Sequence, residues 1–272
     1  MIQTLILQGY GINCEYETAL ACRQAGSQVT LTHLHTFLHN QISLSDYHLI
    51  VFPGGFSFGD ELGAGKALAN RFSYSTKVTA RLRDFVQSGR CILGICNGFQ
   101  LLVKLGLLPG QLEGAPLAQE VSLMANVNHR FENRWIYHKT YPSSCVFTQK
   151  TDQLYLPVRH AEGKLIFKSR AVYSRVKQHN QIVFRYSTAN GTLATTYPEN
   201  PNGSFDAIAG LCDPTGRILG MMAHPEAYIS PFQNPQWTHK KDQAKRGKAS
   251  FPSQGEGLIL FQNSINYLKE HL

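Results

Sequence analysis

Gly94-Ile95-Cys96-Asn97-Gly98 follows the apolar run Cys91-Ile92-Leu93 and precedes the helical-looking Phe99-Gln100-Leu101-Leu102-Val103. A strand that turns this sharply into a helix describes a nucleophile elbow, because a Cβ at either glycine would collide with neighbouring backbone. The turn would present the Cys96 sulfur at the C-terminal edge of a sheet and at a helix N-terminus. There, free N–H groups and the helix dipole favour a thiolate. Taken alone, the stretch also suits a buried structural cysteine at a strand end. A thiolate nucleophile needs a base, and the base needs an orienting group. Met221-Met222-Ala223-His224-Pro225-Glu226 offers both. In an extended segment His224 and Glu226 share a side, and Pro225 restricts its own φ and the residue before it. The plainer alternative is a His and a Glu at a hairpin strand end. Elbow and pair together read as a Cys-His-Glu triad with partners far apart in sequence. Acyl chemistry also needs donors for an oxyanion. Leu49-Ile50-Val51-Phe52-Pro53-Gly54-Gly55 ends a strand in a turn able to aim a backbone N–H outward, though it equally suits an ordinary strand-to-loop turn. The N–H of Asn97, next to the nucleophile, is a second donor.

The elements that must hold these groups alternate. Residues 4–8 read as strand and 15–25 as helix, stopped by Gly26. Residues 29–34 and 49–52 are strands, 80–87 a helix stopped by Gly89, 91–95 a strand and 99–105 a helix. This pattern predicts an α/β fold: a mostly parallel twisted sheet flanked by helices, with its site at the C-terminal ends of the strands. After residue 118 an added antiparallel strand region is expected, at 121–127, 135–138, 145–148, 154–160 and 181–186. Strands at 208–211 and 218–222 flank Asp213-Pro214-Thr215-Gly216, a hairpin turn signal. Residues 257–268 form a closing amphipathic helix. A polar insertion at about 229–256 holds three prolines and a basic run from Lys240 to Lys248; it reads as a solvated loop, with a partner-docking surface as the alternative. The expectation is a single domain over 1–272.

Several motifs, in order, carry a resemblance. Gly11-Ile-Asn-Cys-Glu15, Pro53-Gly-Gly-Phe-Ser-Phe-Gly-Asp60, Gly94-Ile-Cys-Asn-Gly-Phe-Gln100, Arg159-His-Ala-Glu-Gly163, Asn200-Pro-Asn-Gly-Ser204 and Met222-Ala-His-Pro-Glu226 resemble the class I glutamine amidotransferases. More narrowly, they are similar to the PurQ family, the glutaminase subunits of phosphoribosylformylglycinamidine synthase. The resemblance implies Cys96 as nucleophile, His224 as base and Glu226 as its orienter. It implies Gly55 and Asn97 as oxyanion-hole amides, and Gln100, His160, Glu162 and Gly163 as glutamine-binding residues. It further implies L-glutamine as substrate, ammonia passed to a separate PurL-type synthetase subunit, and a small PurS-type subunit as a further candidate partner. That synthetase would use ATP and Mg to convert formylglycinamide ribonucleotide to the amidine in purine biosynthesis; this chain would carry no cofactor and no metal. Two positions depart from the family pattern: Ala223 stands where Pro is usual, and Ala227 where Arg is usual. The second bears on the contact with the synthetase.

Composition narrows the remaining classes. With 272 residues the chain can bury a full core. No apolar run approaches the roughly 18 residues of a membrane span. The first residues read directly as strand, so no signal peptide is expected. Six cysteines lie scattered without a Cys-x-x-Cys, which points to a reducing, cytoplasmic setting and away from disulfides or zinc. A net charge of +8 suits anionic metabolites or an acidic partner better than nucleic acid, since basic and aromatic residues do not interleave. His33, His35 and His39 cluster without an acidic or thiol partner, so no metal is expected there. Gly9-Tyr10-Gly11 lacks the third glycine of a dinucleotide fingerprint. In the near-P-loop from Asp60 to Ala67, the first glycine and the Ser/Thr are missing. Two other classes stay open: another thiol hydrolase, such as a γ-glutamyl hydrolase or an intracellular cysteine peptidase, and a non-catalytic regulatory subunit.

Overall fold

The computed structural model describes residues 1–74, 76–111 and 117–272. In chain order the elements are β1 (Gln3–Gln8), α1 (Glu15–Gln24), β2 (Gln28–His33), α2 (Leu34–Leu38), β3 (Leu49–Phe52), α3 (Lys66–Ser73), α4 (Thr76–Gln87), β4 (Cys91–Ile95) and α5 (Asn97–Lys104). They continue with β5 (Val121–Ala125), β6 (Glu132–Thr140), β7 (Gln153–His160), β8 (Glu162–Phe167), α6 (Arg170–Gln178), β9 (Ile182–Ser187), β10 (Ile208–Cys212), β11 (Ile218–Met221), α7 (Trp237–Lys245) and α8 (Leu258–His271).

Among the described residues, nine strands form one sheet in the order β2-β1-β3-β4-β11-β10-β9-β6-β7. The first five run parallel. From β10 onward every neighbour is antiparallel. The antiparallel region expected from the sequence thus extends the same sheet, while β5 and β8 pair separately. Every residue of β3, β4, β10 and β11 is buried, so these strands read as unbroken apolar runs, as strands covered on both faces must. β4 lies between β3 and β11, which sets the ends of all three side by side.

Several expectations need correction. Residues 145–148 form a short 3-10 turn, Val146–Thr148, rather than a strand. The run is apolar because Cys145 and Phe147 are fully buried, and Asn263 of α8 donates to the carbonyl of Phe147; so short an apolar run has no period to tell turn from strand. The stretch after residue 160 holds β8 and α6, which the sequence reading passed over. α6 buries only Val172 and Val176, too narrow a stripe to register, although Ser169 caps it by accepting from the Val172 N–H. α5 begins at Asn97, directly after Cys96 and two residues earlier than expected. Finally, the 229–256 insertion contains α7, none of whose residues is buried. Within the insertion the rings of Phe232, Trp237 and Phe251 pack on one another, and Asn234 donates to the hydroxyl of Tyr228 just before it (3.2 Å). A helix polar on all sides carries no amphipathic signal.

Candidate active site

Cys96 occupies the turn between β4 and α5 with φ +50°, a strained value for a residue with a side chain. The flanking glycines explain how the turn survives. A Cβ on Gly98 would lie 1.9 Å from the carbonyl oxygen of Phe52, and one on Gly94 would lie 2.5 Å from Leu102 and 2.9 Å from the Gly98 carbonyl. The Cys96 N–H donates to Met221 O at the end of β11 (2.8 Å), so Cys96 is tied to the strand that leads to His224. Its Sγ lies 3.7 Å from Arg159 O, at the end of β7.

β11 stops at Met221, so His224 and Glu226 are not on an extended strand. Pro225–Ala227 is a 3-10 turn, and proline fits its first position because its missing N–H would have no partner there. The turn still brings the two side chains together: Nδ1 of His224 lies 2.6 Å from Oε1 of Glu226. The His224 N–H donates to Pro157 O (2.9 Å), anchoring the turn to β7. Both side chains are buried. With Nδ1 engaged, Nε2 is the nitrogen left for Cys96, and it has no hydrogen-bond partner among the described residues. Burial opposes charge on His224. The Glu226 carboxylate and negative charge on Cys96 outweigh it and hold the imidazole pKa well above its usual value.

The glycine turn after β3 lies against the same ring. A Cβ on Gly54 would come 2.6 Å from Cε1 of His224. The carbonyl of Gly54 accepts from the N–H groups of Asn13 (3.4 Å) and Cys14 (3.3 Å) at the start of α1. In a trans peptide the N–H points opposite to the C=O, so the N–H of Gly55 is aimed away from α1. Gly55 has φ +145°, and a Cβ there would lie 2.7 Å from Gly11 O. Asn97 is the first residue of α5, where an N–H has no carbonyl of the preceding turn to meet.

The opposite wall comes from β7, β8 and the loop after β9. Gln100 is buried; its amide donates to the carbonyl of Glu162 (2.6 Å) and accepts from the Asn97 side chain (3.1 Å). The Glu162 carboxylate accepts from the Ala64 N–H (3.1 Å), tying the loop after β3 to β8. His160 is buried with Nδ1 3.2 Å from Asn126 Oδ1, and desolvation pushes its pKa down to about 3. Gly163 fits between His160 and Asn202, where a Cβ would come within 2.7 Å of both. The structure therefore brings all nine residues expected from the sequence to one strand-end region. Cys96, His224 and Glu226 sit at its centre. Gln100, His160 and Glu162 are bound into the protein's own hydrogen bonds.

Three contributions escaped the sequence reading. Asp60 accepts from the Asn97 side chain (3.2 Å) and the Gly65 N–H (3.3 Å), and burial pushes its pKa up. Ser204 donates to Gly163 O (3.1 Å) and accepts from Leu165 N (3.0 Å), while Asn202 donates to the buried Tyr186 hydroxyl (2.9 Å). Cys14 lies 3.9 Å from His224 Nδ1. The Pro53-to-Asp60, Asn-Pro-Asn-Gly-Ser and Gly-Ile-Asn-Cys-Glu motifs were signals for all three, but none says what its side chains touch.

A cysteine at a strained strand–helix turn, with a His–Glu pair at the end of the neighbouring parallel strand, is the arrangement that a thiol nucleophile and its base would need. Comparison with known proteins agrees. Residues 1–268 match the CobB/CobQ-like glutamine amidotransferase domain, and the chain belongs to that family. It is 40% identical over 271 residues to the phosphoribosylformylglycinamidine synthase subunit PurQ of Methanococcus maripaludis strain C5, covering 98% of this chain and 99% of the relative. It is 38% identical to PurQ of Dehalococcoides mccartyi, covering 99% and 98%. In fold it is similar to a chain in the structure of PurLQS from Thermotoga maritima, with a TM-score of 0.68 at 24% identity over 98% of this chain and 99% of that one.

Proposed function

We propose that this chain is the glutaminase subunit of phosphoribosylformylglycinamidine synthase in purine biosynthesis, working with PurL and PurS subunits. Near-full-length identity to PurQ proteins supports the assignment. The observation that carries the chemistry is the 2.6 Å His224–Glu226 contact, which leaves Nε2 for Cys96.

In this reading Cys96 passes its thiol proton to His224 Nε2, and its Sγ attacks the side-chain amide carbon of glutamine. The carbonyl electrons move onto oxygen, which the N–H groups of Gly55 and Asn97 receive. Collapse expels the amine, which takes a proton from His224 Nε2 and leaves as ammonia. A γ-glutamyl thioester remains on Cys96. His224 then takes a proton from water as it attacks the thioester, and glutamate departs with the thiol restored. Glu226 steadies the imidazolium in both steps. Gln100, Glu162 and Gly163 form the wall that receives the glutamine, and His160 supports it from behind. The ammonia passes to the PurL-type subunit, where ATP and Mg drive amidine formation; none of the described helices is long and apolar enough to cross a membrane.

A glutaminase assay with and without PurL, PurS, formylglycinamide ribonucleotide and ATP tests this. Expected are weak activity alone and a rise in kcat, more than a fall in KM, in the loaded complex. A partner-independent kcat equal to that of the complex would indicate a free-standing thiol hydrolase. Cys96→Ala should abolish glutamine-dependent synthesis while added ammonium still supports it. Loss of both would overturn the division of labour.

A further inference from the structure

His224 has a second sulfur neighbour that the triad does not use. Cys14, at the start of α1, places its Sγ 3.9 Å from Nδ1, the ring nitrogen that also meets Glu226. One ligand atom from each of Cys14, His224 and Glu226 lies within 4.8 Å of the others. A thiolate, an imidazole and a carboxylate are a zinc donor set, supplied here by positions 210 residues apart. Two further features point into this corner. Oε2 of Glu226 is buried without a hydrogen-bond partner among the described residues. Gly54 brings bare backbone against this corner, since a Cβ there would lie 3.3 Å from Cys14 Sγ and 2.6 Å from His224 Cε1. Tetrahedral zinc with bonds of about 2.0–2.3 Å asks for ligand atoms roughly 3.3–3.6 Å apart. The sulfur–nitrogen gap of 3.9 Å already fits nearly, the 2.6 Å nitrogen–oxygen contact must open by up to about an ångström, and the sulfur–oxygen gap, within 4.8 Å, must close by about as much.

We propose that Cys14, His224 and Glu226 form a zinc-binding site whose occupation silences the glutaminase. Zinc displaces the proton from Nδ1 and the proton from the Cys14 thiol, both of which leave to solvent. A neutral imidazole metallated at Nδ1 keeps its proton on Nε2. It then cannot take a proton from Cys96 or from water, and Glu226 is drawn from the ring to the metal. The loss of activity rests on His224 being the base, as proposed above; the binding itself does not.

The test uses the full chain and cobalt(II) as a coloured zinc substitute. A thiolate-to-cobalt charge-transfer band is expected in the wild type and in Cys96→Ala, and is expected to vanish in Cys14→Ala. Zinc should inhibit wild-type glutaminase reversibly on chelation. In Cys14→Ala, measured against that variant's own uninhibited rate, the inhibiting zinc concentration should rise at least about tenfold. Should the alanine variant fail to fold, Cys14→Ser keeps the size and tests the same loss. A band that survives in the Cys14 variant and disappears in Cys96→Ala would put the metal on the nucleophile and overturn the proposal. No band in either protein would overturn it as well. Because Cys96→Ala reads binding without catalysis, a wrong assignment of the reaction would leave the cobalt result standing.

Discussion

The two halves of the sheet hold their parts of the site by different means. In the parallel half, reacting groups are placed by backbone approach so close that only glycine fits. Gly98 lies against the Phe52 carbonyl, Gly94 against α5 and Gly54 against the imidazole. On the antiparallel side, at β7 and at the separate β5–β8 pair, the wall is placed by buried side-chain hydrogen bonds among Asn126, His160, Asn202, Ser204 and Tyr186. Backbone contact fixes an atom with no rotamer freedom, which suits a nucleophile and base that must meet within a narrow distance. A hydrogen-bonded wall fixes shape and polarity, which suits recognition.

The sharpest break of this contrast comes from the triad. His224→Ala should cost kcat nearly as much as loss of Cys96, on the order of 10⁴-fold or more, because triad members act as a unit. Glu226→Gln keeps the shape and should cost less. The reverse ranking in steady-state kinetics would mean that the base has been misassigned.

Next in size, Gly98→Ala should force β3 and α5 apart. The expected cost is about 1–3 kcal/mol in urea unfolding, with a fall in kcat of about a hundredfold from the displaced elbow. Wild-type values for both would show that close approach is not what holds the nucleophile.

Ser204→Ala should cost about 1–3 kcal/mol by leaving Leu165 N without its partner. Its kinetic signature should be a raised KM with kcat little changed. A fall in kcat at constant KM would place reacting atoms under the control of the antiparallel half too.

The smallest effect concerns acid. Desolvation lowers the pKa of buried His138, on β6, to about 4 and that of His160 to about 3. Both stay neutral when folded but take up protons below about pH 6.5 when unfolded. Stability should therefore fall as pH drops from about 6.5 toward 4. His138→Leu should flatten part of that slope in thermal melts. An unchanged slope would remove His138 as a source of acid lability.

The elements that carry the nucleophile were legible, since β3 and β4 fall where their apolar runs predicted and the Gly–Cys–Gly spacing marked the turn between β4 and α5. α7 was not, because a helix with no buried residues leaves no apolar period to read; α6 does carry an apolar pair, Val172 and Val176, which the reading passed over. The His224–Glu226 pairing was read correctly for a reason that the structure replaces. The residues meet across a proline-led 3-10 turn, not along a strand, and both geometries join positions i and i+2.

By itself the sequence determined what lies within one turn of chain: the elbow around Cys96, whose glycines answer a local steric demand, and the His-Pro-Glu step. Only the tertiary structure decided what those groups face. Cys14 meets His224, Gln100 meets Glu162, and Met221 holds Cys96, each across a long stretch of sequence. Those contacts follow from β11 pairing beside β4 and from the loops that gather at the strand ends. Strand order is set by how the whole chain buries its apolar surface, and no local window records that choice.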